Sequence, residues 1–246
     1  MGDARSLTPR AAGACRCVAC AARPQSFALP RRAFLAAGAA LSLAGAAGLS
    51  PRPASAQTTI SPDEAVARLM AGNKRYVSGE MASFKEDLAT LKGRTAEKQE
   101  PFAAVLSCAD SRVPPEIVFD LSIGQLFVTR VAGNVATTEI IASLEYGAAV
   151  LGTRAIMVLA HQGCGAVKAA VSGQAVPGQI SALFPSLRPA VEQGAHDYEG
   201  TAKLNAKIQA DLLATASPVL AELIGKGGLK IVAGYYSLET GAVALL

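Results

Sequence analysis

Four short apolar runs, at 102–107, 125–131, 154–160 and 229–235, alternate along the chain with longer stretches whose apolar residues recur at helical spacing. Runs this short, bounded by polar or turn residues, read as buried strands. The second, rich in Phe, Val and Thr, is the strongest β-former of the four. A helix is predicted from Ser61, an N-cap followed by Pro62 at N1 and Glu64 at N3, where it completes a capping box. Ala65, Leu69, Met70 and Tyr76 supply its apolar face, and it should end near Ser78 and Gly79. Residues 80–100 read as helix plus loop. Further helices are expected at 137–151, stopping at Gly152, and at 201–216 and 218–224, with a short edge strand at 242–246. Strands alternating with helices predict an α/β fold. Its mostly parallel central sheet has about four to five strands flanked by helices, with an N-terminal helical arm. In such sheets chemistry collects at the carboxyl ends of strands.

The pattern before residue 57 is different. Polar or small residues run to Arg32, followed by an uncharged apolar stretch at 33–49, a Pro-Arg-Pro break at 51–53, and Ala54-Ser55-Ala56. A basic region, an apolar region and a small-residue cut site, in that order, predict a cleaved export signal over 1–56, which leaves 57–246 as a single domain. Arg31 and Arg32 beside Phe34 and Leu35 resemble a twin-arginine signal, with Pro30 where Ser or Thr is usual. A transmembrane anchor is the alternative, although the Ala- and Gly-rich run is barely long enough to span. The expected location is the periplasm or cell envelope of a bacterium, with membrane contact only during export.

This boundary changes how charge and cysteine content are read. The chain has a formal net charge of +4, but seven of its 23 basic residues precede Gln57 against one acid, Asp3. The leader therefore carries +6 and the remainder −2, and no nucleic-acid partner is expected. Three of five cysteines, Cys15, Cys17 and Cys20, also fall in the leader, where a single C-x-x-C pair has no second pair to complete a metal site. Cys108 and Cys164 remain.

Those two cysteines mark the chemistry. Cys108-Ala-Asp110-Ser-Arg112 closes the first strand, and His161-Gln-Gly-Cys164-Gly165 closes the third. His161 and Cys164 have a zinc-like spacing, and Gly163 and Gly165 permit a tight turn. With Cys108 they make a Cys2His set that suits Zn²⁺ and leaves a fourth position open. Asp110 is a candidate for that position or its neighbour, and the Arg112 cation would hold it ionised. Three alternatives stay open on these residues alone: a Cys108–Cys164 disulfide, plain core burial, and a surface ion pair.

Cys108-Ala-Asp-Ser-Arg-Val-Pro114 and His161-Gln-Gly-Cys-Gly165 together resemble the paired zinc signatures of the β-class carbonic anhydrases. The intervening 120–134 and 143–146, and the terminal 234–243, are similar as well. Ala160 stands where that family often has Gly. The resemblance implies one Zn²⁺ per subunit on Cys108, His161 and Cys164. It implies reversible hydration of CO₂ to bicarbonate and a proton, by a zinc-bound hydroxide oriented by the Asp110–Arg112 pair. Asp110 becomes the fourth ligand only in a closed state. Gln99 would bind substrate through its amide, with Gly165, Phe127 and Tyr146 also lining the substrate site, and Phe102 and Val131 as further apolar wall. Regulated members bind an inhibitory bicarbonate with Trp, Arg and Tyr. Arg130 and Tyr146 match two of these and Val105 stands at the third, so an incomplete regulatory site and an enzyme mostly in the open state are expected. A homodimer or higher homo-oligomer is implied, with Gln99 and Phe127 acting across subunits. Hydrolysis of CS₂ or COS on the same scaffold, and a non-catalytic zinc protein of the envelope, are the competing readings.

Overall fold

The computed structural model describes residues 58–85, 87–194 and 197–246. The leader and its cut site lie outside these residues, as does His196, the only histidine besides His161. Strands β1 (Ala103–Ser107), β2 (Leu126–Arg130), β3 (Ala155–His161), β4 (Lys230–Tyr236) and β5 (Val243–Leu245) form one sheet in the order β2-β1-β3-β4-β5. The first four are mutually parallel and β5 runs antiparallel to β4. The α/β expectation holds, and each strand falls within a residue or two of its apolar run.

The alternating pleat of β1 and β3 divides the core in two. Ala104, Leu106, Ile156, Val158 and Ala160 face one layer, while Ala103, Val105, Ala155, Met157 and Leu159 face the other. Every residue of both strands is buried, as expected for central strands of a parallel sheet. Helix α1 (Pro62–Ser78) covers the second face with the single turn α2 (Pro115–Val118). Ser61 Oγ accepts the Glu64 amide at its start, and Gly79 ends it in the left-handed region at φ 74°. Gly72 allows the close approach of α1: a Cβ there would lie 1.8 Å from the Phe119 carbonyl oxygen. The other face carries α3 (Thr138–Glu145), α4 (Gly165–Ser172), α5 (Phe184–Gln193), α6 (Tyr198–Ala216) and α7 (Pro218–Gly225), and a short, mostly exposed helix, Leu88–Thr95, lies before β1. Among the described residues no single helix is long and apolar enough to cross a membrane.

The stretch at 137–151 departs from a simple α-helix. It is α-helical to Glu145 and then widens into a π-turn, Tyr146–Val150, before Gly152 at φ 78°. Gly147 in that turn packs on the Phe127 ring, where a Cβ would meet the ring at 3.1 Å.

Asp120 anchors the arm. It sits at φ 47° with its carboxylate accepting the amides of Ala82 and Ser83 and the Arg75 guanidinium. Burial by itself would raise this carboxyl, but those donors outweigh it and hold the pKa well below the carboxylate range. A depressed carboxylate stabilises the fold above its unfolded pKa, near ~3.9, and that contribution is lost as pH falls towards the folded value. Asp120→Asn is expected to cost about 2 kcal/mol at pH 7, discounted from a fully buried pair because Arg75 is partly solvated. Denaturant midpoints measured across pH should show the gap from wild type narrowing below about pH 4. A gap independent of pH would contradict the charge argument.

Candidate metal centre

Adjacent parallel strands bring the two motifs together. Ser107 at the end of β1 pairs with Leu159 of β3, so Cys108, one residue on, lies level with the end of β3 where His161 stands. After His161 the chain turns through Gly163 at φ 68°, and Cys164 becomes the N-cap of α4. One donor atom each from Cys108, His161 and Cys164 lies within 4.8 Å of the others, and all three residues are buried.

The donor chemistry fits a metal. Both cysteines are free, with their sulfurs 4.0 Å apart, which removes the disulfide reading. Two thiolates on a tetrahedral zinc at ~2.3 Å would be separated by about 3.8 Å. His161 Nδ1 lies 2.9 Å from the Gln162 carbonyl oxygen, so Nδ1 carries the proton and Nε2 the lone pair. Nε2 is buried and has no hydrogen-bond partner. A buried, unpartnered imidazole nitrogen beside two sulfurs is costly unless something coordinates it. The hydrogen bond from Cys164 lowers the Cys108 pKa, while the same bond and burial raise that of Cys164.

Asp110 lies on the rim. Arg112 holds it bidentately, Nε to Oδ1 at 2.9 Å and Nη2 to Oδ2 at 2.8 Å, and the Arg112 amide adds a third bond at 3.0 Å. These side-chain bonds hold the carboxyl well below the usual range, against the effect of burial. Its Oδ2 also stands 3.9 Å from His161 Nε2.

Other expected site residues fall elsewhere. Gly165 opens α4 beside Cys164 and is exposed. Gln99 is exposed and lines a surface groove of about 540 Å³ with Tyr146 and Val150, which contains none of the metal-site residues. Phe127 packs on Tyr146 with ring centroids 6.3 Å apart. Within one chain, therefore, Gln99, Phe127 and Tyr146 form a cluster of their own on the side of edge strand β2. Phe102 precedes β1, at the opposite end of the strand from Cys108, and is buried with the Arg68 guanidinium over its ring.

Two further groups support the loop that carries Cys108. Arg130, expected only as part of an inhibitory site, donates to the carbonyls of Cys108 and Asp110 at 3.0 and 2.6 Å and fixes the loop carrying both. The Gly133 amide donates to Cys108 Sγ at 3.4 Å. The basic residue at the end of β2, beside the first motif, was the available signal for Arg130. No residue pattern marks a backbone amide.

A mostly parallel sheet with a buried Cys-His-Cys triangle at its carboxyl edge has the donor set of a thiolate–imidazole zinc site. The comparisons name its family. The carbonic anhydrase family profile matches residues 103–243. Carbonic anhydrase 2 of Mycobacterium tuberculosis is 34% identical over 187 residues, which cover 72% of this chain and 89% of that protein. A β-carbonic anhydrase structure from Coccomyxa, solved with acetazolamide, superposes with a TM-score of 0.59 at 26% identity, covering 74% of this chain and 86% of that one. One of two tetrameric β-carbonic anhydrases of Sordaria macrospora shares the fold at TM-score 0.61 and 20% identity, covering 74% of this chain and 97% of that one. The chain belongs to the β-class carbonic anhydrases and is an enzyme of that family.

Proposed function

We propose that the protein catalyses reversible hydration of CO₂ to bicarbonate and a proton, with one zinc held by Cys108, His161 and Cys164. The observation that carries this is the buried triangle itself: two free thiols and an unpartnered Nε2 converging within 4.8 Å. When bound, zinc supplies Lewis acidity that activates water as a nucleophile near neutral pH. The chain's own residues do the rest. Asp110, kept ionised by Arg112, accepts a hydrogen bond from the attacking water and aims its lone pair at the carbon of CO₂. Arg130 holds the Asp110 loop against the strand end. The existing bidentate bond to Arg112 supports an open resting state with Asp110 off the metal. A crystal grown near neutral pH with Asp110 on the metal would contradict that part.

Gln99, Phe127 and Tyr146 complete the substrate pocket, in this reading, from a second copy of the chain. The separation of their cluster from the metal triangle within one chain supports this, as does the tetrameric state named for the Sordaria structure. A homodimer or larger is therefore proposed. Export to the periplasm or envelope by the leader is also proposed, by a twin-arginine route that lets the domain fold around zinc before its thiols meet an oxidising compartment.

Rates with CO₂ and with CS₂ or COS, measured on one preparation of residues 57–246, test the substrate assignment. Hydration of CO₂ should exceed hydrolysis of either sulfur compound by orders of magnitude. The reverse order would replace CO₂ as the substrate and leave the metal assignment standing.

A further inference from the structure

A fully buried amide pair lies behind the metal triangle. Asn205 and Gln209 are one helical turn apart on α6, among alanines and leucines of the core. Burying two amides costs free energy unless each group finds a partner. The partners are specific. Asn205 Nδ2 donates to the Gly133 carbonyl at 2.9 Å, and Gln209 Oε1 accepts the Ala136 amide at 2.8 Å. Gln209 Nε2 donates to Asn205 Oδ1 at 3.2 Å and to the Ser186 carbonyl at 3.1 Å. Both amides thus grip the turn at 133–136 and tie it to α5.

That turn needs outside support. Gly133 and Asn134 both sit at positive φ, 78° and 44°, and for Asn134 this conformation is uncommon. The turn is also wedged against the elements that follow the metal motifs: a Cβ on Gly133 would lie 3.3 Å from both Ala166 Cβ and a Leu187 methyl. Its outward end is the Gly133 amide, directed at Cys108 Sγ.

We propose that Asn205 and Gln209 are positioning residues that hold the Gly133 amide on the Cys108 sulfur. They would thereby set how much electron density this thiolate donates to the metal. The inference rests on Cys108 being a metal ligand. A hydrogen bond to a ligand atom fixes its orientation and withdraws charge from it, and such outer partners change metal affinity by about 10- to 100-fold.

The first test needs no substitution. In ¹⁵N-labelled protein loaded with ¹¹³Cd, the Gly133 amide proton should show scalar coupling to cadmium through the N–H···S bond, and absence of coupling overturns the proposal. Cobalt-loaded Asn205→Leu should show its sulfur-to-cobalt charge-transfer band at longer wavelength, because a thiolate relieved of the bond is easier to oxidise. Its zinc dissociation constant should rise about tenfold. Gln209→Glu keeps an acceptor for Ala136 but has at most one donor, its O–H when protonated, for Asn205 and Ser186, so it should shift the band less. Leu213→Ala, in the same helix and fully buried, should lower stability without moving the band. An unshifted band in both amide variants, or an equal shift in Leu213→Ala, overturns the proposal. Should Asn205→Leu not fold, the wild-type coupling and Gln209→Glu decide. A cadmium shift lacking two sulfurs and one nitrogen would instead remove the metal assignment, so the two failures are distinguishable.

Discussion

Cys164→Ser is expected to abolish CO₂ hydration and to reduce tightly bound zinc well below one per chain. The reason lies in the donor set. Cys164 supplies one of two sulfurs in a triangle with a single nitrogen. A serine hydroxyl is harder, shorter and remains protonated at neutral pH, so it does not replace a thiolate on zinc. The fold should largely survive, since Cys164 caps α4 through its backbone position and makes no side-chain capping bond. Metal analysis, a thiol count after denaturation and stopped-flow rates on the same sample check this. Wild type should give one zinc and two free thiols within 57–246. A variant with wild-type rate and reduced zinc would sink the zinc mechanism.

Asp110→Asn is the second large effect, and of a different kind. The asparagine keeps the size of the side chain but removes its charge, and its amide nitrogen is a donor where an acceptor is required. It also breaks the bidentate bond that fixes Arg112, whose side chain is otherwise more than half exposed. Zinc content should stay at one per chain, because Asp110 is outside the triangle in the open state. The turnover number for hydration should fall by roughly two orders of magnitude or more, in the range typical for loss of a group that handles the reacting proton. Arg112→Leu should give a partial version of the same loss. Retained activity in Asp110→Asn with full zinc would show that the carboxylate does not orient the nucleophile.

The sequence pattern carried far for the central sheet and for the triangle, and the physical reasons are plain. Buried parallel strands such as β1 and β3 are continuous apolar runs, legible one strand at a time. The zinc-type residues stand where those runs stop, and parallel neighbours necessarily bring such stops together. The edges of α1 were legible because Ser61, Pro62 and Gly79 are local signals. Helices α4 and α5 were less legible: α4 has an end signal in Gly173 but starts on Cys164, and α5 contains Pro189, which reads as a breaker. The π-turn at Tyr146 was hidden inside helical spacing, and the Gly147–Phe127 contact within it joins residues far apart in sequence. Arg130, Gly133, Asn205 and Gln209 act through bonds that only the folded chain forms.

The most direct measurement is a zinc titration of the metal-stripped protein, following CO₂ hydration and bound metal together. Hydration should rise in proportion to zinc and level off at one zinc per chain, with Cys164→Ser staying at background throughout. A rate that does not depend on zinc, or a fully loaded protein that leaves CO₂ unhydrated, would contradict the account.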